Sequence, residues 1–242
     1  MLAFHCPAFA VELGLLEVVK FLIEDKGVDP NEYGWTFSDA ARHRVHLVSA
    51  AMTSGQEEVF QYLLSLPSTN LYSEIENNDA RDWTNGLFEQ ALDVYVVRNG
   101  PKAYLTSIAN HNRFDVNRAC HRYGEVFSNF TCLFIALKRL RDCLDDTFEV
   151  DNGSSGNEGP NFTEAGSTRL DRYINAIKLL LEAGANPNQN VLVFGAVSTG
   201  IGLVESWLRV SRLDIHGSPV RILRQRVYRQ VLKMLKRGVK AP

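Results

Sequence analysis

The stretch that decides the fold is YINAIKLLLEAGANPNQN, residues 173–190. Its apolar residues recur at the spacing of one helix face, namely Ile174, Ile177, Leu180 and Leu181. Gly184 follows and is expected to end this helix, because glycine adopts a left-handed C-cap at little cost. The segment Asn186-Pro187-Asn188 then predicts a turn.

The same phrase recurs along the chain. Other copies are ELGLLEVVKFLIEDKGVDPNEYG at 12–34, TSGQEEVFQYLLSLPSTNLY at 53–72, a shortened form at 198–217, and VYRQVLKMLKRGVKAP at 227–242. In three of them a glycine separates a first helix from a second: Gly14, Gly55 and Gly200. A single copy cannot bury its apolar stripe, so stacking of neighbouring copies is predicted.

The loops that follow the second helices give the spacing of the copies. Equivalent loop positions are predicted at Asp29, Asn70, Asp115, Asn186, Asp214 and Lys240, with separations of 41, 45, 71, 28 and 26 residues. The third copy, at about Trp83 to Asn117, is assigned mainly by its phase and by its FDVN ending. The uneven period indicates degenerate repeats.

The longest separation contains residues 145–168, DDTFEVDNGSSGNEGPNFTEAGST. This segment is rich in glycine, serine, asparagine and acids, which is typical of a flexible loop. Halves of one repeat flank the segment, so it is predicted to connect a first helix to its second helix. It is not interpreted as a linker between domains.

Residues 14–31, GLLEVVKFLIEDKGVDPN, and 176–188, AIKLLLEAGANPN, resemble the second helix and following loop of ankyrin repeats. The family's Thr-Pro-Leu-His turn is absent, and Ala-x-x-x-Gly frames end at Gly14, Gly55 and Gly200. The resemblance implies an all-α, ankyrin-like solenoid of five or six antiparallel helix pairs. One repeat array would then occupy residues 1–242.

The resemblance also implies a function, namely binding of a partner protein through a concave face of loop tips and first helices. Aromatic and arginine residues dominate binding hot spots, and those in or near the loops are Tyr33, Trp35, Tyr72, Trp83, Arg118 and Tyr123. Packing between adjacent loops is the alternative role for each. No cofactor, metal, catalytic residue or small-molecule substrate is expected.

A rival enzyme hypothesis rests on residues 190–208, NVLVFGAVSTGIGLVESWL. They resemble the strand, glycine turn and helix of short-chain dehydrogenases, so the stretch Gly195–Gly202 would contact a nucleotide. Only 34 residues follow Leu208, too few for the rest of a dinucleotide-binding fold. The favoured interpretation is a repeat's first helix over Leu192–Thr199, then Gly200 in a turn, then the second helix.

Metal ligation was considered for His111, Cys120, His121, Cys132 and Cys143. None of them forms a Cys-x-x-Cys or His-x-x-x-His pair, so a zinc site is not predicted. The apolar sequence around Cys132 and Cys143 favours core thiols instead.

The C-terminal part is strongly basic. Residues 209–242 contain ten basic residues and one acid, against 16 basic and 27 acidic residues before them. Arg221, Arg224 and Lys236 are predicted on solvated faces of a last repeat that caps the array. Binding of nucleic acid through this end is the second rival, and it is not the expected function.

Residues 1–23 are apolar, but they lack a basic leader and include Glu12, Glu17 and Lys20. The segment is therefore a poor signal peptide or membrane span. Unpaired cysteine spacing favours reduced thiols, so a cytoplasmic or nuclear location is expected. Both termini fall inside repeat patterns, and a longer array is expected on that basis.

Overall fold

The structure is a computed structural model that describes residues 6–35, 44–72, 86–118, 130–149, 164–193, 196–213 and 219–238. Most of these residues are helical, and the strands form only two short hairpins. The prediction of an all-α chain is confirmed at this level.

Ten α-helices occur in the described part of the chain: α1 Cys6–Glu12, α2 Leu16–Lys20, α3 Leu47–Thr53, α4 Glu57–Ser65, α5 Leu87–Val96, α6 Lys102–Ala109, α7 Cys132–Glu149, α8 Glu164–Glu182, α9 Gly200–Leu213 and α10 Pro219–Gly238. A π-helical turn, Phe21–Asp25, continues α2. Strand β1 (Tyr33–Trp35) pairs antiparallel with β2 (Arg44–His46), and β3 (Val191–Val193) with β4 (Ala196–Ser198).

The helices form pairs within two compact units, residues 1–114 and 115–242. In the first unit α1 pairs with α2, α3 with α4 and α5 with α6. The first helices α1, α3 and α5 pack in succession, and α2 packs on α4. In the second unit α7 pairs with α8 and α9 with α10, while α7 contacts α9 and α8 contacts α10. The single array over residues 1–242 stays a prediction.

Side chains also join successive pairs in the first unit. The Gln56 amide donates a hydrogen bond to the Glu12 carbonyl at 3.0 Å, which links the start of α4 to the end of α1. The Tyr62 hydroxyl donates to Glu24 Oε1 at 2.9 Å. Burial, assisted by this hydrogen bond, raises the pKa of Tyr62 to about 12.

Each unit has its own apolar core. In the first, Phe60 and Tyr104 are fully buried and meet edge to face with ring centroids 4.7 Å apart. In the second, Phe130, Phe134, Val191 and Leu203 form a buried cluster. Burial of such side chains supplies the main favourable term of folding, and in the second unit it includes a strand residue.

The predicted glycine stops are confirmed at three positions. Gly14, Gly55 and Gly184 have φ angles of 70°, 73° and 90°, a left-handed conformation that suits glycine. The following amides return to carbonyls of the helix, as in Gln56 N to Ala51 O at 2.9 Å. In the third pair, Asn99 takes the left-handed position with φ of 60°.

The predicted first helix over Leu192–Thr199 is wrong. Strands β3 and β4 occupy this stretch, and α9 begins only at Gly200. The β-branched valines of these strands favour a pleated conformation. The turn predicted at Gly200 is wrong as well, since Gly200 lies outside the left-handed region. The close approach at this position is of a different kind, because a Cβ on residue 200 would lie 3.2 Å from the Pro187 carbonyl oxygen, a tight contact.

The predicted loop 145–168 overlaps two helices, because α7 extends to Glu149 and α8 begins at Glu164. These are the two helices of one pair, as the sequence predicted for the elements on either side of this segment. Residues 150–163 lie outside the described residues, so their flexibility stays a prediction.

Candidate functional site

The loops after the second helices share one local structure at four of the six predicted equivalent positions, and the other two, Asp214 and Lys240, lie outside the described residues. In each, a side-chain oxygen accepts a hydrogen bond from the backbone amide two residues later, which closes an Asx turn. The pairs are Asp29 with Asn31 at 2.9 Å, Asn70 with Tyr72 at 2.9 Å, Asp115 with Asn117 at 2.9 Å, and Asn186 with Asn188 at 3.0 Å.

In the first unit, Asn31 joins its own loop to the next one. Its Oδ1 accepts from the Asn70 amide at 2.6 Å, and its Nδ2 donates to the Ser68 carbonyl at 2.8 Å. Nδ2 also donates to Asp29 Oδ1 at 2.9 Å. One side chain therefore satisfies backbone groups of a second loop while it is held by its own turn.

The second unit repeats this arrangement with Asn117. Its Oδ1 accepts from the Asn186 amide at 2.6 Å, and its Nδ2 donates to the Gly184 carbonyl at 3.0 Å. Gln189 adds a third bond to the Asn117 carbonyl at 2.7 Å. We call the Asn31 and Asn117 contacts the asparagine bridges. They fix neighbouring loops at one relative position in each unit.

In the first unit, the loop of Asn70 is joined differently to the residues that follow α6. Tyr72 stands where the other loops have asparagine, and its hydroxyl donates to the Arg113 carbonyl at 3.2 Å. The Arg113 guanidinium donates back to loop carbonyls, including Leu66 O at 2.7 Å and Thr69 O at 3.1 Å. Leu64 and Pro67 supply two further acceptors. Charge-assisted bonds of this kind are stronger than neutral ones.

Both strand hairpins follow an Asx turn and precede a capped helix. Before α3, the His46 ring nitrogen Nδ1 accepts from the Val48 amide at 3.3 Å. Before α9, Thr199 Oγ1 accepts from the Gly202 amide at 3.0 Å. Such caps satisfy an amide that has no partner within the helix. The order turn, hairpin, cap, helix is therefore the same in residues 26–53 and 183–213.

The His46 cap is titratable and buried. Burial lowers its pKa to about 4, and the weaker attraction of the Asp29 carboxylate acts in the opposite direction. At neutral pH the ring is therefore uncharged, and it can serve as a hydrogen-bond acceptor.

Among the predicted binding residues, Tyr72 is the one whose ring contacts are described. It is half-buried and stacks on Phe114 with centroids 5.3 Å apart. The alternative role, packing between adjacent loops, therefore applies to at least one face of this ring. Arg118 is exposed, and its amide donates to the Asp115 carbonyl at 3.0 Å.

The other predicted residues are placed only in part. Tyr33 and Trp35 lie in β1, opposite His46 and Arg44, and their side chains are not described. Trp83 and Tyr123 lie outside the described residues. The structure thus places Tyr33 and Trp35 on a strand and Tyr72 on a loop of the first unit, and Arg118 on a loop of the second.

One exposed residue was missed because its segment was predicted as a helix. Val197, in β4, is 68% exposed. No pattern other than the β-branched residues around it points to a strand. Scattered exposed apolar residues are common, so its position beside the asparagine-bridged loops is what makes it a candidate contact.

In the described part of the glycine-rich stretch, the amides at the start of α9 already have acceptors. At the N-terminus of α9, the Ile201 amide donates to the Pro187 carbonyl at 3.3 Å and the Gly202 amide to Thr199. A phosphate held at a helix N-terminus needs such amides. Within the described ranges, no group of three His, Cys, Asp or Glu side chains is placed to hold a metal ion.

The cysteines that the structure describes form no disulfide. Cys132 is buried, as predicted for a core thiol, and Cys143 is half-buried. Among the helices described, none has both the length and the apolar composition that crossing a membrane requires.

The chain was also compared with known proteins. No protein-family model matches it, no curated protein is similar to it, and no solved structure matches it.

Proposed function

We propose that this chain is an ankyrin-type repeat scaffold that binds a partner protein through its loop tips and first helices. The observation that carries the proposal is the pair of asparagine bridges. They hold successive loops in the same way in both units, although the residues between the loops differ in number and type.

Rigid loops favour binding for a thermodynamic reason. A loop that is already ordered loses less conformational entropy when a partner docks, so more of the contact energy appears as affinity. The Asx turns and bridges supply that order at positions where the chain is otherwise exposed. Binding residues are often carried on loops that a rigid scaffold positions.

The contact surface would include the hairpins and the loop residues beside them. In the first unit we assign to it Tyr33, Trp35 and the accessible part of Tyr72. In the second unit we assign to it Arg118 after the third Asx turn and Val197 on β4, both exposed. Trp83 and Tyr123 remain predicted contacts. The partner is a protein, and the proposal requires no cofactor.

The test is affinity capture followed by measurement with the purified binder. Val197→Asp and Arg118→Ala should each weaken the binding of that protein by about tenfold or more, as expected for hot-spot residues. The control is Lys178→Ala on α8, whose side chain is 66% exposed, and it should change the affinity by less than about twofold. Equal losses in all three variants, or none, would contradict the proposal.

A second arm addresses the nucleotide alternative. Isothermal titration with NAD(H) and NADP(H) should show no binding up to millimolar concentration, because the first amides of α9 already have protein acceptors. Micromolar affinity, abolished by Gly202→Val, would favour the enzyme hypothesis over the scaffold.

A further inference from the structure

Helix α10 has an unusual charge distribution. Over its 20 residues it has no acid and seven basic side chains: Arg221, Arg224, Arg226, Arg229, Lys233, Lys236 and Arg237. Its apolar face is already covered, since Val227, Val231 and Leu235 are buried and the helix contacts α8 and α9. A partner can therefore reach α10 from its exposed side, which carries most of these cations and also Ile222, 66% exposed.

Two of these cations form ion pairs with carboxylates of other helices. Arg224 pairs with Asp145 on α7 at 2.9 Å, and Lys236 pairs with Glu205 on α9 at 2.7 Å. In both cases the carboxylate is carried by a neighbouring helix. The flanks of α10 thus pair with acids of other helices in the same unit.

The outward side of α10 carries further cations, which have no such acidic partners among the described residues. Arg226, Arg229, Lys233 and Arg237 are exposed and follow the spacing of one helix face. We call them the outer basic stripe. The stripe extends about 16 Å along the helix. Among the described residues no carboxylate pairs with it, and the Arg229 guanidinium reaches Gln225 Oε1 at 3.3 Å.

An apolar depression lies along the stripe. A shallow groove of about 380 Å³ is lined by Arg229, Leu232, Lys233, Lys236 and Arg237. Leu232 is its one apolar lining residue and is half-buried. The groove therefore combines a contact for one aliphatic side chain with four surrounding cations.

We propose that the outer basic stripe docks an acidic amphipathic helix of a partner protein. Glutamates or aspartates on one face of that helix would have the same axial spacing as the cations, since both helices rise 1.5 Å per residue. A leucine-sized side chain between them would enter the groove at Leu232. This surface is separate from the loops, so the inference does not rest on the proposed function.

A nucleic acid could pair with the cations of the stripe, but it would not fill the apolar groove at Leu232. A phosphate backbone has no aliphatic side chain to place against Leu232, and single strands are usually held by aromatic stacking. The one aromatic residue of α10, Tyr228, is buried. The combination of cations with an apolar floor favours a helix that carries both acids and a leucine.

The test uses fluorescence anisotropy with the full chain and four labelled probes. The first is a helical peptide with glutamates and one leucine on a single face, and the second has the same composition with the glutamates distributed around the helix. The others are duplex DNA and anionic phospholipid vesicles. Titrations are run at about 50 and about 150 mM salt, because exposed charges are screened over about 8 to 14 Å in this range.

The one-faced peptide should bind at least about tenfold more tightly than its scrambled form. Arg226→Glu, Arg229→Glu and Lys233→Glu combined should abolish this binding. The matched control changes three exposed cations elsewhere, Arg98→Glu, Lys102→Glu and Arg169→Glu, and should retain it. Leu232→Ala should weaken peptide binding while the binding of DNA is unchanged.

Several outcomes would overturn the inference. Equal binding of the two peptides would mean that the stripe recognises charge density alone and not an arrangement of acids on one helix face. Tighter binding of DNA or of vesicles than of the one-faced peptide would assign the stripe to that ligand instead. No peptide binding at the lower salt would also contradict it. Circular dichroism of each variant separates these results from a loss of folding, which is not expected for exposed positions.

Discussion

Residues 26–53 and 183–213 lie in different units and have the same sequence of elements. Each contains an Asx turn, a short antiparallel hairpin, a capping side chain and a first helix. The caps differ, because His46 holds the start of α3 and Thr199 the start of α9. The comparison teaches that the backbone arrangement tolerates a change of cap, whereas the turn residue is Asp or Asn in every copy described.

The contacts between loops show a similar contrast. Asn31 and Asn117 make nearly identical bridges. At the intervening loop, Tyr72 replaces the asparagine and Arg113 supplies the bonds to the preceding loop. Neighbouring loops can thus be joined by a neutral amide or by a guanidinium. The two kinds of contact should differ in how much they contribute to the free energy of unfolding.

Arg113→Ala should produce the largest effect. The guanidinium donates to three carbonyls of the preceding loop and to the Leu64 carbonyl of α4, and bonds to charged groups are worth about 1.5 to 3 kcal/mol each when buried. Because the site is partly exposed, we expect a total loss of about 2 to 4 kcal/mol in urea denaturation. Arg98→Ala, at an exposed position, is the control and should change stability by less than about 0.5 kcal/mol. Similar values for both would mean that Arg113 is not a clamp.

The two caps should differ in their response to pH. The pKa of His46 is lowered to about 4 in the folded chain from an ordinary 6.5, so the unfolded chain binds the proton more readily. Stability from this group is complete above about pH 7 and is lost as the pH falls from about 6.5 towards 4. The loss should reach at most about 3 kcal/mol.

His46→Asn is the matched variant for that prediction, since asparagine also caps helices but does not titrate. Urea denaturation between pH 7 and 4.5 should show a flatter dependence for the variant. Thr199→Asn should leave the slope unchanged, because threonine does not titrate. Identical slopes for the wild type and His46→Asn would refute the buried neutral imidazole.

The asparagine bridges should contribute equally in the two units. Asn31→Ala and Asn117→Ala each leave a loop amide and a loop carbonyl without their acceptor and donor. Each should cost about 1 to 3 kcal/mol, measured by thermal and urea denaturation. Asn188→Ala, at an exposed position, is the control and should have less than about 0.5 kcal/mol of effect. A large loss of stability for only one of the two variants would show that the two bridges are not equivalent.

The smallest effect is expected where asparagine replaces glycine in the left-handed position. Asn99→Gly should stabilise the chain by up to about 1 kcal/mol, because glycine adopts this conformation without a steric penalty. Gly55→Asn should cost less than Gly55→Val, since β-branched residues are poorly tolerated there. The order of these variants in a melting experiment tests the equivalence of the two turns.

The sequence predicts the local signals well. Asp29, Asn70, Asp115 and Asn186 were identified as equivalent, and all four close the same turn. Gly14, Gly55 and Gly184 take the left-handed conformation for the reason predicted. These features depend on neighbours within a few residues of the chain, which a sequence pattern contains.

The contacts between loops could not be predicted in the same way. The bridges of Asn31 and Asn117 join residues 39 and 69 positions apart, and no local pattern encodes that distance. The hairpin at Val191–Ser198 was mistaken for a helix because its apolar residues fit either period over a short run. The third turn was concealed because Asn99 stands where the other turns have glycine.

The most direct test of the central claim, that the loops form the protein-binding face, is hydrogen–deuterium exchange with and without the purified binder. If the loops bind the partner, we expect added protection in peptides that cover residues 66–72, 110–118 and 186–199, with α4 and α8 unchanged. Protection confined to α4 and α8, or no protection in any loop peptide, would contradict it.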